Sequence, residues 1–181
     1  MTADPLRLFF ALPCPPPLAA AICAWRASAL PEGKAVAPSD LHLTLAFLGR
    51  QPASCVAPLL ALAPKIQGER CELRLDRLGH WRGGVLHLAP SRVPQALDEL
   101  QRQLHARLSG AGFELERRAF RPHLTLARRY PQLPTCPAPT FDWPLRCFAL
   151  FCSEYDGHGS RYRLLGQWPL RPATPTGRSA P

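Results

Sequence analysis

The pentapeptide His-Leu-Thr-Leu-Ala occurs twice in the chain, at residues 42–46 and 123–127. In an extended strand, residues two apart project from the same face, separated by about 6–7 Å, so His42 and Thr44 can touch one small group, as can His123 and Thr125. An imidazole whose ordinary pKa is about 6.5 gives or takes a proton near neutrality. Two imidazoles can therefore supply both the acid and the base of one displacement. Threonine hydroxyls donate hydrogen bonds to non-bridging phosphate oxygens and stabilise the charge that builds on them. A single His-x-Thr is an ordinary polar strand face. Two identical copies at corresponding points of a repeat point to one metal-free acid/base site for phosphodiester chemistry.

Metal binding is the competing chemistry, because histidine is a common zinc ligand. Neither motif has an Asp, a Glu or a second His at ligand spacing, and threonine is a poor ligand. His87 would have to supply the third nitrogen. The seven cysteines form no C-x-x-C pair, so neither a zinc ribbon nor a disulfide framework is indicated, and a reducing cytoplasm is expected. No cofactor is expected.

The formal charge of +9 arises from 22 basic and 13 acidic residues, mostly through arginine, whose planar fork suits phosphate. A polyanionic partner such as RNA or a nucleotide fits this balance. Arg121 and Arg128 flank the second motif as candidate phosphate contacts. Strand parity turns Arg128 away from His123, and Pro122 leaves the direction of Arg121 open. His80, His105 and His158 read as ordinary turn or helix residues.

Several elements must position these residues. Leu6 to Leu12 reads as a buried strand. A helix with the stripe Leu18, Ile22, Trp25 and Ala29 follows. In the strand Leu41 to Leu48, the residues Leu43, Leu45 and Phe47 face one way and His42, Thr44 and Ala46 the other. A weaker helix spans Ala53 to Lys65. CELRLDRLGHW reads as one strand that turns at Gly83-Gly84 into VLHLAP. Ser91 is the expected cap of a helix with the stripe Val93, Leu97, Leu100, Leu104 and Leu108, ended by Gly110 and Gly112. Phe120 to Arg128 alternates as the earlier motif strand does, and two strands within Phe141–Ser153 and Arg161–Leu170 close the fold.

Laid side by side, LFFALP, helix, HLTLA and VLHLAP, helix, HLTLA form an internal repeat, which places Phe10 and His87 at equivalent positions. Two β-α-β units facing each other about a pseudo-dyad bring both His-Thr pairs into one cleft. A single bilobal domain is expected over residues 1–170, with a disordered tail at 171–181. The early prolines argue against an export signal, and no apolar run is long enough for a membrane helix. A cytoplasmic monomer is expected.

The ordered set RLFFALP, LHLTLAFLG, LRLDRLG, FRPHLTLAR and RYRLLGQWPL resembles the 2H phosphoesterase superfamily. Within it, the chain is similar to the bacterial RNA 2′,3′-cyclic phosphodiesterases, formerly called 2′-5′ RNA ligases. The resemblance implies an α+β fold of two antiparallel β-sheets related by a pseudo-two-fold, flanked by helices, with a central cleft. It also implies metal-free hydrolysis of a terminal 2′,3′-cyclic phosphate to a 2′-phosphate. His42 would then be the proton donor to the leaving 3′ oxygen and His123 the proton acceptor from water, with Thr44 and Thr125 on the phosphate. The local symmetry of the two motifs leaves acid and base indistinguishable, so that assignment is the family's alone. Many relatives carry Arg or Lys at the position of Ala46. Reverse 2′-5′ joining as a side activity and an RNA- or nucleotide-binding module with little catalysis are the rival readings.

Overall fold

The structure, a computed structural model, describes residues 5–116, 118–155, 157 and 160–173. His158 and the expected tail from residue 174 onward lie outside the described residues; Arg171 still donates its N–H to Gly68. The chain runs β1 (Leu6–Pro13), α1 (Pro16–Ala29), β2 (Lys34–Ala35), β3 (His42–Gln51), α2 (Val56–Leu62), β4 (Cys71–Leu75), β5 (Arg77–Trp81), β6 (Val85–Ala89), α3 (Gln95–Gly110), β7 (Leu124–Arg128), β8 (Phe141–Leu145), β9 (Cys147–Tyr155) and β10 (Ser160–Pro169). The named strand pairs are antiparallel. One sheet has the order β10-β9-β1-β3-β7-β6-β5, with β2 also paired to β7, and β4 and β8 form a small second sheet. The two repeats meet at a single pair, Leu43 opposite Leu124, which joins them into one strand order.

Both residues of that pair sit at the second position of their His-Leu-Thr-Leu-Ala motif. An antiparallel pair of equivalent residues carries a local two-fold axis between them. The expected pseudo-dyad therefore passes through the centre of the large sheet. One face of this sheet is the core: Leu8, Phe10, Leu12, Leu43 and Leu124 are essentially inaccessible, as are Leu97, Leu100, Leu104 and Leu108 of α3. The other face carries the motif histidines and threonines.

Several expectations are corrected by the coordinates. CELRLDRLGHW is two strands, because the chain passes from the small sheet to the large one at Asp76. Its carboxylate accepts hydrogen bonds from Ser91 N at 2.6 Å and Ser91 Oγ at 2.5 Å. Ser91 is thereby spent on Asp76 and does not cap α3, whose N-cap is Pro94. Val93 lies before the helix and is exposed. In α1 the buried stripe is Ala19, Ile22 and Arg26, with Leu18 and Trp25 only half-buried. The second motif strand is shorter than expected: β7 begins at Leu124, since Pro122 has no N–H for a ladder. Gly83 and Gly84 both have positive φ, as the β5–β6 turn requires.

Arg26 links the helical layer to the site strand. It is buried, and Nη1 donates to the carbonyls of Val36 at 2.7 Å and Leu126 at 2.9 Å. A charged donor shared by these two carbonyls reinforces the Val36 N–H bond to the Leu126 carbonyl, 3.0 Å, and holds β7 against the segment after β2. Replacing Arg26 by Met keeps the apolar stem but removes both charge-assisted hydrogen bonds; the expected cost is about 2–3 kcal/mol. It would be read as a lower denaturant midpoint at unchanged slope.

Candidate active site

Leu43 opposite Leu124 sets the register of everything around the axis. In an antiparallel pair, Thr125 must then stand beside His42, and His123 beside Thr44, with cross-strand Cβ spacings of about 4.5–5.5 Å. The two histidines lie on the diagonal, about 7–8 Å apart by the same geometry. All four are half-buried, so each reaches solvent from a largely covered position. Thr44 and His123 line a cavity of about 670 Å³ together with Phe47, Trp81, Phe120 and Arg121.

The backbone orients both imidazoles in the same way. His42 Nδ1 lies 2.7 Å from the carbonyl of Asp40, and His123 Nδ1 lies 2.8 Å from the carbonyl of Arg121. A carbonyl only accepts, so Nδ1 carries the proton and donates in each case. Nε2 is left as the atom that gives or takes a proton. The repeat thus reproduces the tautomer as well as the side chain.

Aromatic rings enclose both histidines. The Phe9 ring lies 5.1 Å and the Tyr162 ring 4.9 Å from His42, and Phe151 stacks on Phe9 at 5.4 Å. β10 stands three strands away from β3, yet Tyr162 touches His42 and Arg161 Nη1 comes within 3.8 Å of Asp40 Oδ2. The sheet must therefore coil strongly, folding its far edge over the site. On the other side, Trp81 lies 4.4 Å from His123 edge-on, and His87 lies 5.5 Å from it. The sequence reading gave Phe9, Trp81 and Tyr162 no role; the aromatic residue beside each motif strand carried no periodic signal.

Burial dominates the acid/base properties. It pushes the His42 pKa down to about 4, against the Asp40 carbonyl, which favours the proton; the charges of His123 and Arg128 lower it further. His123 is lowered chiefly by burial and also by Arg128, with the Arg121 carbonyl opposing. His87 is pushed down to about 4 by the same desolvation. All three rings are neutral in the free protein at neutral pH.

Register slips on β3 and β7 correct the expected strand parity. On β3 the register slips twice against β1, so that Thr44 opposes Ala11, Ala46 opposes Phe10 and Phe47 opposes Phe9. Leu45 and Ala46 both turn into the core, and Phe47 emerges on the face of His42, 39% exposed. Ala46 is not on the face where a basic contact was expected. On β7 the register slips in the same place: Thr125 opposes His87 while Ala127 opposes Leu86. Leu126 and Ala127 are buried, and Arg128 comes out on the histidine face, against the expectation from simple alternation. Its charge acts on both imidazoles. The bulges also correct the repeat alignment: the position equivalent to His87 is Ala11, while Phe10 is a fully buried core residue.

His87 is nearly inaccessible and fits only because its neighbour across β5 is Gly79, where a Cβ would come within 2.4 Å of His87 Nε2. His80, expected in a turn, lies instead within β5 opposite Leu86 and bonds the Tyr130 carbonyl, whereas His105 lines the large cavity. Among the described residues, no group of three His, Cys, Asp or Glu side chains converges as a metal site would require.

The sequence model of the 2′-5′ RNA ligase superfamily matches residues 14–143. The chain is 36% identical to an RNA 2′,3′-cyclic phosphodiesterase of Escherichia coli (strain K12), over 93% of this chain and 98% of that one. It is 31% identical to the RNA 2′,3′-cyclic phosphodiesterase of Thermus thermophilus, over 92% of this chain and 91% of the relative. The crystal structure of E. coli LigT complexed with 3′-AMP superimposes with a TM-score of 0.84 at 36% identity, covering 92% of this chain and 98% of the other.

The depressed His42 pKa makes anion binding proton-linked. An anion beside the ring favours its charged form, raising the pKa, so binding takes up a proton at any pH between the free and bound values. Sulfate, whose own charge is constant over the range, is expected to bind more tightly as the pH falls from neutrality towards about 4. For one proton taken up, the gain approaches about tenfold per pH unit. Calorimetry in buffers of different ionisation enthalpy would reveal the uptake; affinity independent of pH would contradict it. Without an anion, the sign for stability is opposite. The folded-state pKa is depressed, so the stabilisation is complete above 6.5 and is lost as pH falls through about 4.

Proposed function

Because the chain belongs to the 2′-5′ RNA ligase superfamily, we propose that it hydrolyses RNA ends carrying a 2′,3′-cyclic phosphate to 2′-phosphates, with His42 and His123 as proton donor and acceptor. The observation that carries this reading is the diagonal of two identically oriented imidazoles, each beside the threonine of the opposite strand. The E. coli and Thermus relatives named for this reaction match nearly the whole chain.

In this mechanism, the cyclic phosphate occupies the space between the two His-Thr pairs. Thr44 and Thr125 donate to its non-bridging oxygens, and Arg128, and Arg121 at the cavity rim, balance its charge. His123 Nε2 removes a proton from water as the water oxygen attacks phosphorus. The bond from phosphorus to the 3′ oxygen breaks, and His42 Nε2–H delivers a proton to that oxygen. The products are a 2′-phosphate and a 3′-hydroxyl. His42 must enter the reaction charged although it is neutral in the free site. The bound anion supplies the difference, so substrate and proton load together. No step calls on a metal ion. Joining follows the same path with a 5′-hydroxyl in place of water, forming a 2′-5′ linkage as the 3′ oxygen leaves, but water at high concentration favours hydrolysis.

The RNA substrate class agrees with the net charge of +9. The described residues contain no helix long and apolar enough to cross a membrane, and their cysteines are all free thiols, which fits a cytoplasmic protein. We read it as a monomer.

With an oligoribonucleotide ending in 2′,3′-cyclic phosphate and excess EDTA, the wild type is expected to release the 2′-phosphate. His42→Ala and His123→Ala should each lower kcat by about a hundredfold or more. The residual pH profiles should differ: losing the acid removes the decline at high pH, and losing the base removes the decline at low pH. Thr44→Ala and Thr125→Ala should each lower kcat/KM by about tenfold or more. A wild type that binds the oligonucleotide with no turnover, and alanine variants that bind equally well, would establish a binding module instead. Turnover abolished by EDTA would overturn the metal-free mechanism.

A further inference from the structure

The large cavity at Thr44 and His123 does not end the groove on this face. Phe47, brought outward by the β3 bulge, also lines a second cavity of about 580 Å³ with Arg7, Arg50 and Ser153. Arg7 and Arg50 stand directly opposite each other in the β1·β3 pair, and Ser153 stands opposite Arg7 on β9. Both arginines are exposed. Like charges directly opposite on paired strands repel and destabilise the pair. Among the described residues, neither guanidinium has a carboxylate partner, and Glu154 at the cavity rim is already engaged by Arg163 at 2.6 Å. The Arg7 guanidinium is held 4.9 Å over the Phe47 ring, which fixes it at the junction between the cavities.

We infer that the Arg7/Arg50 cavity is a subsite for an internucleotide phosphate of the RNA strand, 5′ to the reacting end, with Phe47 as the platform joining it to the reaction centre. The inference rests on the phosphodiesterase reading and adds to it the place where the RNA strand upstream of the reacting end is held, so that oligoribonucleotide ends are bound better than free cyclic mononucleotides. Spacing agrees. Arg7 lies four residues along β1 from Ala11, the neighbour of Thr44, about 13 Å away. That places it beyond the reach of the reacting phosphate and within reach of one of the first phosphates upstream. Two opposed guanidiniums and the Ser153 hydroxyl together offer a doubly charged donor set to one phosphate. The exposed Phe47 ring offers its face to the intervening base.

The test uses Arg50→Gln and, separately, Arg7→Gln in the full chain. Among the described residues it is Arg7, and not Arg50, that lies over the Phe47 ring, so the Arg50 variant leaves the Phe47 platform in place; melting temperatures at low salt should stay equal to the wild type or rise, because a like-charge pair is relieved. Affinity is measured by anisotropy with a 5′-labelled trinucleotide ending in 2′-phosphate, and by competition with a nucleoside 2′-phosphate. Each variant should weaken the trinucleotide about five- to tenfold. The two substitutions together should lower the slope of log affinity against log salt by about 0.7, the value for one single-strand phosphate contact. The mononucleotide should be unaffected. In turnover, the loss should appear in KM for a cyclic-phosphate oligonucleotide and be absent for a nucleoside 2′,3′-cyclic phosphate. Equal losses for both ligands, or no loss for the trinucleotide, would overturn the subsite. A wild type that turns over neither cyclic substrate would overturn the phosphodiesterase reading, while the anisotropy result would still decide the subsite.

Discussion

The site depends on one backbone contact, the pairing of Leu43 with Leu124. Had the two motif strands met one residue out of register, every side chain on one of them would have been turned to the opposite face. A slip of two would keep the face but separate each histidine from the threonine across from it. The leucines at the contact are fully buried, as are Leu88 opposite Leu124 and Leu12 opposite Leu43. The register is therefore held by the core face of the sheet, and the polar face inherits it. An acid/base site is positioned here by apolar residues that never touch it.

The same dependence explains how far the sequence could be read. The repeat, the two motifs and the helices were legible because each rests on a local period or on a duplicated string, while the antiparallel α+β class came from the family resemblance. What failed was parity beyond the motif. Leu45 and Ala46, and again Leu126 and Ala127, both turn inward at a bulge. Alternation counted across that point puts Phe47 in the core and Arg128 on the wrong side. A bulge is decided by the partner strand, so no window along one strand reveals it. The division of CELRLDRLGHW between two sheets is similar: it rests on Asp76 meeting Ser91, fifteen residues away. Tyr162 belongs to the site only because the sheet coils, a property of eight strands together.

Placing the histidines among aromatic rings has two opposed consequences. Phe9 and Tyr162 fix the His42 ring, and Trp81 fixes that of His123, so that little ordering is left for the moment of reaction. The cost is a charged form that the empty site disfavours. A proton donor with a pKa near its ordinary value would be charged more often in the empty site, but its charge would be worth less in a wetter surrounding. In the covered site, the imidazolium forms only against an anion, where its attraction is strongest. In the proposed mechanism, substrate recognition and loading of the acid become one event. Arg128, close enough to disfavour protonation of both rings when the site is empty, has its field neutralised by that same anion.

The two-fold arrangement is broken where it matters chemically. A perfectly symmetric site would give both histidines the same proton affinity and no preferred direction for a substrate. Here the bulge delivers Phe47 at one end of the dyad and Arg128 at the other, an uncharged ring against a cation. Beside Thr44 the neighbouring strand supplies Ala11; beside Thr125 it supplies His87, lodged against the Cα of Gly79. The His42 half is closed by β10 folding over it, whereas the His123 half opens on the large cavity. In the proposed mechanism the open half admits water to His123, and the half covered by β10 holds the proton donor His42. The duplicated strands supply that mechanism's two proton carriers, and the residues that differ around them are what distinguish donor from acceptor.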